Sequence, residues 1–157
     1  MRDALLYLVF GATAFLILPP SALAEDRWLG TWRLDVAKST YSPGAPPKNT
    51  TIKLEPVEGG IKYTSDGVDA VGNRNHTEYV ARFDGADYPF KGNAAVDTIS
   101  IRRIDDSSYE TTLKKAGIVV TTTRTIISSD GKTRTTIQSG KNAQGEDVNN
   151  TIVYHKR

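Results

Sequence analysis

The sequence contains no cysteine. That excludes disulfides, a thiol nucleophile and a lipid-modified cysteine, and it leaves stability to an ordinary core. Histidine is nearly absent as well, with only His76 and His155. A histidine-rich metal site or a serine triad has little to draw on, and no metal site and no cofactor is expected. An excess of one charge is also missing. The 20 Lys and Arg face 18 Asp and Glu, for a net charge of +2, so bulk charge does not make a nucleic-acid-binding surface. Helical periodicity is all but unreadable after residue 25, and no Gly-rich phosphate loop joins a strand to a helix.

One long apolar run is present, at the start: MRDALLYLVFGATAFLILPPSALAED. Arg2 is a short positive region, Leu5 to Leu18 is apolar, and Ala22-Leu23-Ala24 is a small-x-small cleavage site. This order predicts a secretory signal peptide over 1–24, with a retained anchor as the competing reading. Cleavage after Ala24 leaves 25–157, one domain's length, with 19 basic and 17 acidic residues because only Arg2 and Asp3 are lost. The mature chain is then expected in the periplasm or outside the cell, as a monomer without integral membrane contact.

Thr, Val, Ile and Tyr are abundant after that point, and turn signals recur about every ten residues. Strands are predicted near 28–35, 48–57, 61–66, 76–85, 87–90, 96–105, 108–116, 118–128, 133–139 and 148–157. Glu58-Gly59-Gly60 and Ser129-Asp130-Gly131-Lys132 read as tight hairpin turns. The chain is therefore all-β, an antiparallel up-and-down barrel of 8–10 strands. Closure removes the two exposed edges of an open meander.

Trp28 and Trp32, the only tryptophans, stand in WLGTWRLD. Gly30-Thr31-Trp32 resembles the G-x-W that marks the first strand of lipocalins and fatty-acid-binding proteins. GTWRLDVAKSTY, the TTTR…SDGKT hairpin (121–135) and the closing TIVYHKR (151–157) are similar to the fatty-acid-binding group. GTWRLDVAKSTYSPG, the DG-x-DYP stretch (84–89) and VNNTIVYHK further resemble a group of exported bacterial lipocalin-like, calycin-type proteins. That resemblance covers nearly all of the chain after the signal segment. It implies a closed barrel, wide enough to hold its own side chains or one small ligand. In physical terms, Gly30 lets the backbone bend at the barrel end, while Trp32 and Trp28 plug it.

Two departures from the fatty-acid-binding pattern bear on function. The connection after the first strand holds Pro43, Pro46 and Pro47, so a helical lid does not fit. The positions where that group carries arginines read Ile126 and Ile152 here, although Tyr154 falls on its tyrosine. On strand 118–128, Ile118, Val120, Thr122, Arg124 and Ile126 alternate onto one face. If the apolar members point inward, Arg124 does too, as a substitute anchor; the other reading leaves Arg124 at the rim. The candidate ligand-contacting set is Tyr154, Arg124, Tyr79, Phe83, Tyr109, Ile126 and Ile152, within a lining that also takes in Ile52, Leu54, Tyr63, Ile99, Ile101, Leu113 and Val120.

Catalytic candidates are few. His76 and Glu78 share a strand face as an acid/base or metal pair, but also as a solvated surface. The Asp66-Gly67-Val68-Asp69…Asn73 stretch lacks the acidic spacing of a calcium loop. The resulting expectation is non-catalytic binding or transport of a small, largely hydrophobic molecule in the barrel. A filled barrel acting through its surface, as an interaction or inhibitor module, is the alternative. An enzyme on the same barrel is the third reading.

Overall fold

A computed structural model describes residues 27–142 and 145–157. The predicted signal segment and the residues it would include lie outside the described residues. Ten antiparallel strands close on themselves in sequence order. They are β1 (Gly30–Leu34), β2 (Asn49–Val57), β3 (Gly60–Val68), β4 (Arg74–Arg82) and β5 (Tyr88–Lys91). The second half comprises β6 (Thr98–Arg103), β7 (Ser108–Lys115), β8 (Ile118–Ile127), β9 (Thr133–Lys141) and β10 (Asp147–Lys156). β1 pairs with both β2 and β10, which closes the ring. No α-helix is present among the described residues; a single 3-10 turn spans Val36–Lys38.

The turn chemistry explains the register. Gly59 and Gly131 take positive φ at the β2–β3 and β8–β9 reversals, a conformation that costs glycine nothing. Asp130 fixes the second reversal through Ser128 Oγ and the Lys132 amide. Each strand then alternates one inward with one outward residue.

The floor of the barrel is apolar and tightly filled. Trp28, Trp32, Leu54, Ile61, Ala81, Ile101, Tyr109 and Ile127 are all buried there. Trp32 Nε1 donates to the Trp28 carbonyl at 3.0 Å, and the Trp28 ring lies against Tyr109 at 4.8 Å between centroids. Trp28 precedes β1 and does not alternate with Trp32 along one strand. Gly30, at φ 110°, turns the chain so that both indoles reach the floor. Lys156 covers the Trp32 ring from outside, with Nζ 5.3 Å from the centroid.

Two features of the wall matter later. β10 is twice as long as β1, and its free half is covered by the loop after the 3-10 turn. Thr40 pairs with Thr151, and Asn149 N–H donates to the Ser42 carbonyl at 2.7 Å. That loop runs along the wall, which satisfies a strand edge that water or another chain would otherwise pair with. By contrast, β5 is held loosely. It meets β4 only at Glu78–Lys91 and Tyr79–Phe90, and β6 only at Tyr88–Ile99 and Pro89–Thr98.

Candidate functional site

Above the floor the barrel holds a cavity of about 170 Å³. Its two sides differ in chemistry. Ile52 on β2, Tyr63 on β3, Tyr79 on β4, Phe90 on β5 and Ile99 on β6 make an apolar, aromatic wall. Tyr63 and Tyr79 stack at 4.6 Å and 7°, and Phe90 lies 5.9 Å from Tyr79. Across from them stand Thr111 on β7, Thr123 on β8, and Arg134, Thr136 and Gln138 on β9. Thr125 and Thr136 hydrogen-bond each other at 3.0 Å behind that surface, and Gln138 accepts from Asn150 at 3.0 Å. Ile152 and Tyr154 on β10 join the two halves.

Arg134 sits at the base of this cavity, level with Tyr154 and Leu34 by register. It is 5% exposed. Its Nη2 donates to the Tyr109 hydroxyl at 2.8 Å, and its guanidinium lies 5.5 Å over the Tyr154 ring. Nε and Nη1 are buried with no hydrogen-bond partner. No Asp or Glu is buried among the described residues, so the interior carries a cation without a protein counter-ion. Burial works against its charge, but the ring of tyrosine oxygens, Tyr109 foremost, outweighs that and holds the guanidinium charged. Burial likewise pushes the hydroxyls of Tyr63, Tyr79 and Tyr154 above the ordinary phenol value. They stay neutral, as donors and acceptors facing a fixed positive charge.

The sequence-predicted residues divide. Tyr79, Ile152 and Tyr154 line the cavity. Tyr109 lies in the floor and reaches the cavity only through Arg134. Phe83 is also a floor residue, edge-on to Tyr109 at 5.9 Å and covered by Arg103 at 5.3 Å. Arg124 does not face inward. It is exposed on the outer face of β8, opposite Glu110 of β7 and Ile137 of β9. Ile126 shares that outer face, opposite Ser108 and Thr135. The buried members of β8 are Thr125 and Ile127, the opposite parity from the one the apolar residues predict. A polar wall is the reason, because above Ile127 the cavity-side positions of β8 are threonines, Thr123 and Thr125. The same wall hid Arg134, whose strand turns its lone isoleucine, Ile137, outward at 46% exposure.

The catalytic candidates lie elsewhere. His76 Nδ1 meets Asp66 at 2.7 Å in solvent, and Glu78 is engaged by Lys91 at 3.1 Å. No cluster of three metal-ligating side chains occurs among the described residues. His155 contacts Asp35 at 3.0 Å and Thr133 at 3.5 Å. This order mimics a triad, but it lies on the outer face and the hydroxyl contact is too long to activate a nucleophile. The Asp69 carboxylate is spent on the Val71, Gly72 and Asn73 amides of its own loop, which is turn chemistry.

No family model and no curated protein sequence matches the chain. A solved structure does. The zebrafish ileal bile acid-binding protein, crystallised with cholic acid, superposes with a TM-score of 0.52 over 83% of this chain and 99% of its own. The fold is a ten-stranded, antiparallel closed barrel, shared with that protein. Identity between the two chains is 10%, so the likeness extends to architecture and not to the residues inside.

Proposed function

We propose that the protein binds a small, largely apolar molecule inside its barrel, without chemistry, and carries or sequesters it. The observation that supports this reading is the cavity itself. It has a continuous aliphatic and aromatic wall from β2 to β6 above a sealed floor. Interior apolar pockets with a few placed polar groups are the usual form of a ligand site. The zebrafish protein of the same architecture was crystallised in complex with cholic acid, which supports a ligand-binding role for this fold. Removing each buried CH₂ of a guest from water contributes about 0.8 kcal/mol before the costs of binding.

The test is a titration of purified, delipidated protein with an environment-sensitive apolar fluorophore. Saturable one-to-one enhancement, reversed by competitors, is expected. A folded protein that shows no enhancement would return the function to the outer surface of a filled barrel. The same reading takes the working form to be a monomeric 25–157 chain outside the cytoplasm, supported by the order of charge, apolar run and small residues over 1–24. Intact-mass measurement of the exported fraction checks it. A mass that retains the first 24 residues refutes cleavage.

A further inference from the structure

We infer that the guest is a compact, single-ring carboxylate, with its carboxylate on Arg134 and its ring on the Tyr63–Tyr79–Phe90 wall. This deepens the binding reading above and rests on it. Three independent observations meet at the site.

The first is charge. Arg134 is buried, its Nε and Nη1 have no partner, and no buried acid faces it among the described residues. An enclosed guanidinium with idle donors is costly unless an anion completes it. A carboxylate is the group whose planar oxygens match a guanidinium. Tyr63 and Tyr154 cannot serve as the anion, because burial keeps their hydroxyls protonated.

Size is the second. The cavity is about 170 Å³. An apolar protein cavity of ~150 Å³ takes one benzene. The room therefore fits one ring and a short polar group. A four-ring steroid acid or a long-chain fatty acid would have to extend beyond it. Only the overall architecture is shared with the cholic-acid-bound barrel.

The third is polarity across the cavity. The aromatic wall lies on β3, β4 and β5, while Arg134, Thr136 and Gln138 lie on β9, across the ring of strands. A guest with a flat apolar end and an anionic end satisfies both sides at once. A wholly apolar guest leaves Nε and Nη1 of Arg134 unpaired.

The experiment compares benzoate, benzamide and hexadecanoate on the isotope-labelled full chain by NMR titration at pH 7, following the Arg134 Nε–H and the interior methyl groups, with a calorimetric affinity for each. Benzoate is expected to bind one-to-one and to shift the Arg134 Nε–H resonance. Benzamide, its neutral counterpart of equal shape, is expected to bind at least tenfold more weakly, and hexadecanoate to leave the interior methyls unmoved. Arg134→Met, checked for folding by its melt, should erase the preference for benzoate over benzamide. Arg134→Lys, which keeps charge without the fork, should retain part of it. Equal affinity for benzoate and benzamide in the wild type overturns the assignment of charge. Saturable interior binding of hexadecanoate but not of benzoate overturns the assignment of size, yet leaves interior binding standing. If the apolar fluorophore and all three compounds leave the interior untouched, binding itself fails.

Discussion

Replacing Arg134 with Met should make the ligand-free protein more stable, although it removes the best-connected polar group of the interior. The side chain is about as long, and the change takes a charge out of a buried site. The wild type bears a desolvation cost of several kcal/mol for a buried ion, with two donors left idle. The substitution forfeits one charged hydrogen bond, to Tyr109, of about 1.5–3 kcal/mol. It also forfeits the contact with the Tyr154 ring, of roughly 0.5–2 kcal/mol. These losses total about 2–5 kcal/mol against a cost of several, so the balance runs from neutral to about 3 kcal/mol in favour of Met, within the range found when buried ion pairs give way to apolar side chains. For a domain of about 130 residues, 1 kcal/mol moves Tm by roughly 4 °C, so an increase of up to about 12 °C is expected. Calorimetric melts should be run without acetate, citrate or other carboxylate buffers, since a bound anion would raise the wild type by mass action. Tyr109→Phe supplies the control. It idles a third donor and should lower Tm in the wild type but have little effect in Arg134→Met. A melt of Arg134→Met several degrees below the wild type would refute the reasoning, because it would mean that the guanidinium is satisfied within the fold.

Three further outcomes follow from other parts of the barrel. Thr125→Val alone should cost about 1–3 kcal/mol by orphaning the Thr136 hydroxyl, while the Thr125→Val, Thr136→Val pair should be close to neutral; urea denaturation of the two singles and the double decides it. Trp32→Phe leaves the buried Trp28 carbonyl unpaired and opens space in the floor, for a loss of about 2–4 kcal/mol read from the same curves. Asp105 is held at about 2, below its ordinary 3.8, first by the Ser108 hydroxyl and then by the Ser107 amide and hydroxyl. A depressed carboxylate stabilises the fold fully above pH 3.8, and that contribution fades as pH falls toward 2. The stability gap between wild type and Asp105→Asn should therefore shrink over that window, and a gap that stays constant from pH 5 to pH 2 would exclude the hydrogen-bonded carboxylate.

The strands were readable because their boundaries are set by local chemistry. Gly59, Gly131 and Asp130 act within a few residues of themselves, and turn residues announce their role without tertiary help. Facing was readable on β2 to β7, where isoleucine, leucine and tyrosine alternate with polar residues. It failed on β8 and β9, where apolarity and inwardness part company. There the inward positions hold Thr123, Thr125, Arg134, Thr136 and Gln138, and Ile126 and Ile137 face out. A usable signal was present in the hairpin. Pairing across the Ser129–Lys132 turn sets Ile127 opposite Arg134, so the two share a face. Once Ile127 is taken into the floor, Arg134 has to follow it inside.

The loosely held β5 gives the ring one detachable stave. Nine of the strands need not part from one another for the wall to open there, since four ladder pairs and one flanking backbone hydrogen bond, from Phe90 N–H to the Asp97 carbonyl, join that stave to its neighbours. Opening of this kind has a free energy well below that of global unfolding, and amide exchange in Tyr88–Lys91 should outpace that in β2, β3, β9 and β10. Residence time inside the barrel then becomes a property of that stave. Under the proposed binding role, Phe90 would then act twice, as part of the aromatic wall that holds the guest and, by how firmly it rests on Tyr79, as the latch that sets the rate of arrival and departure.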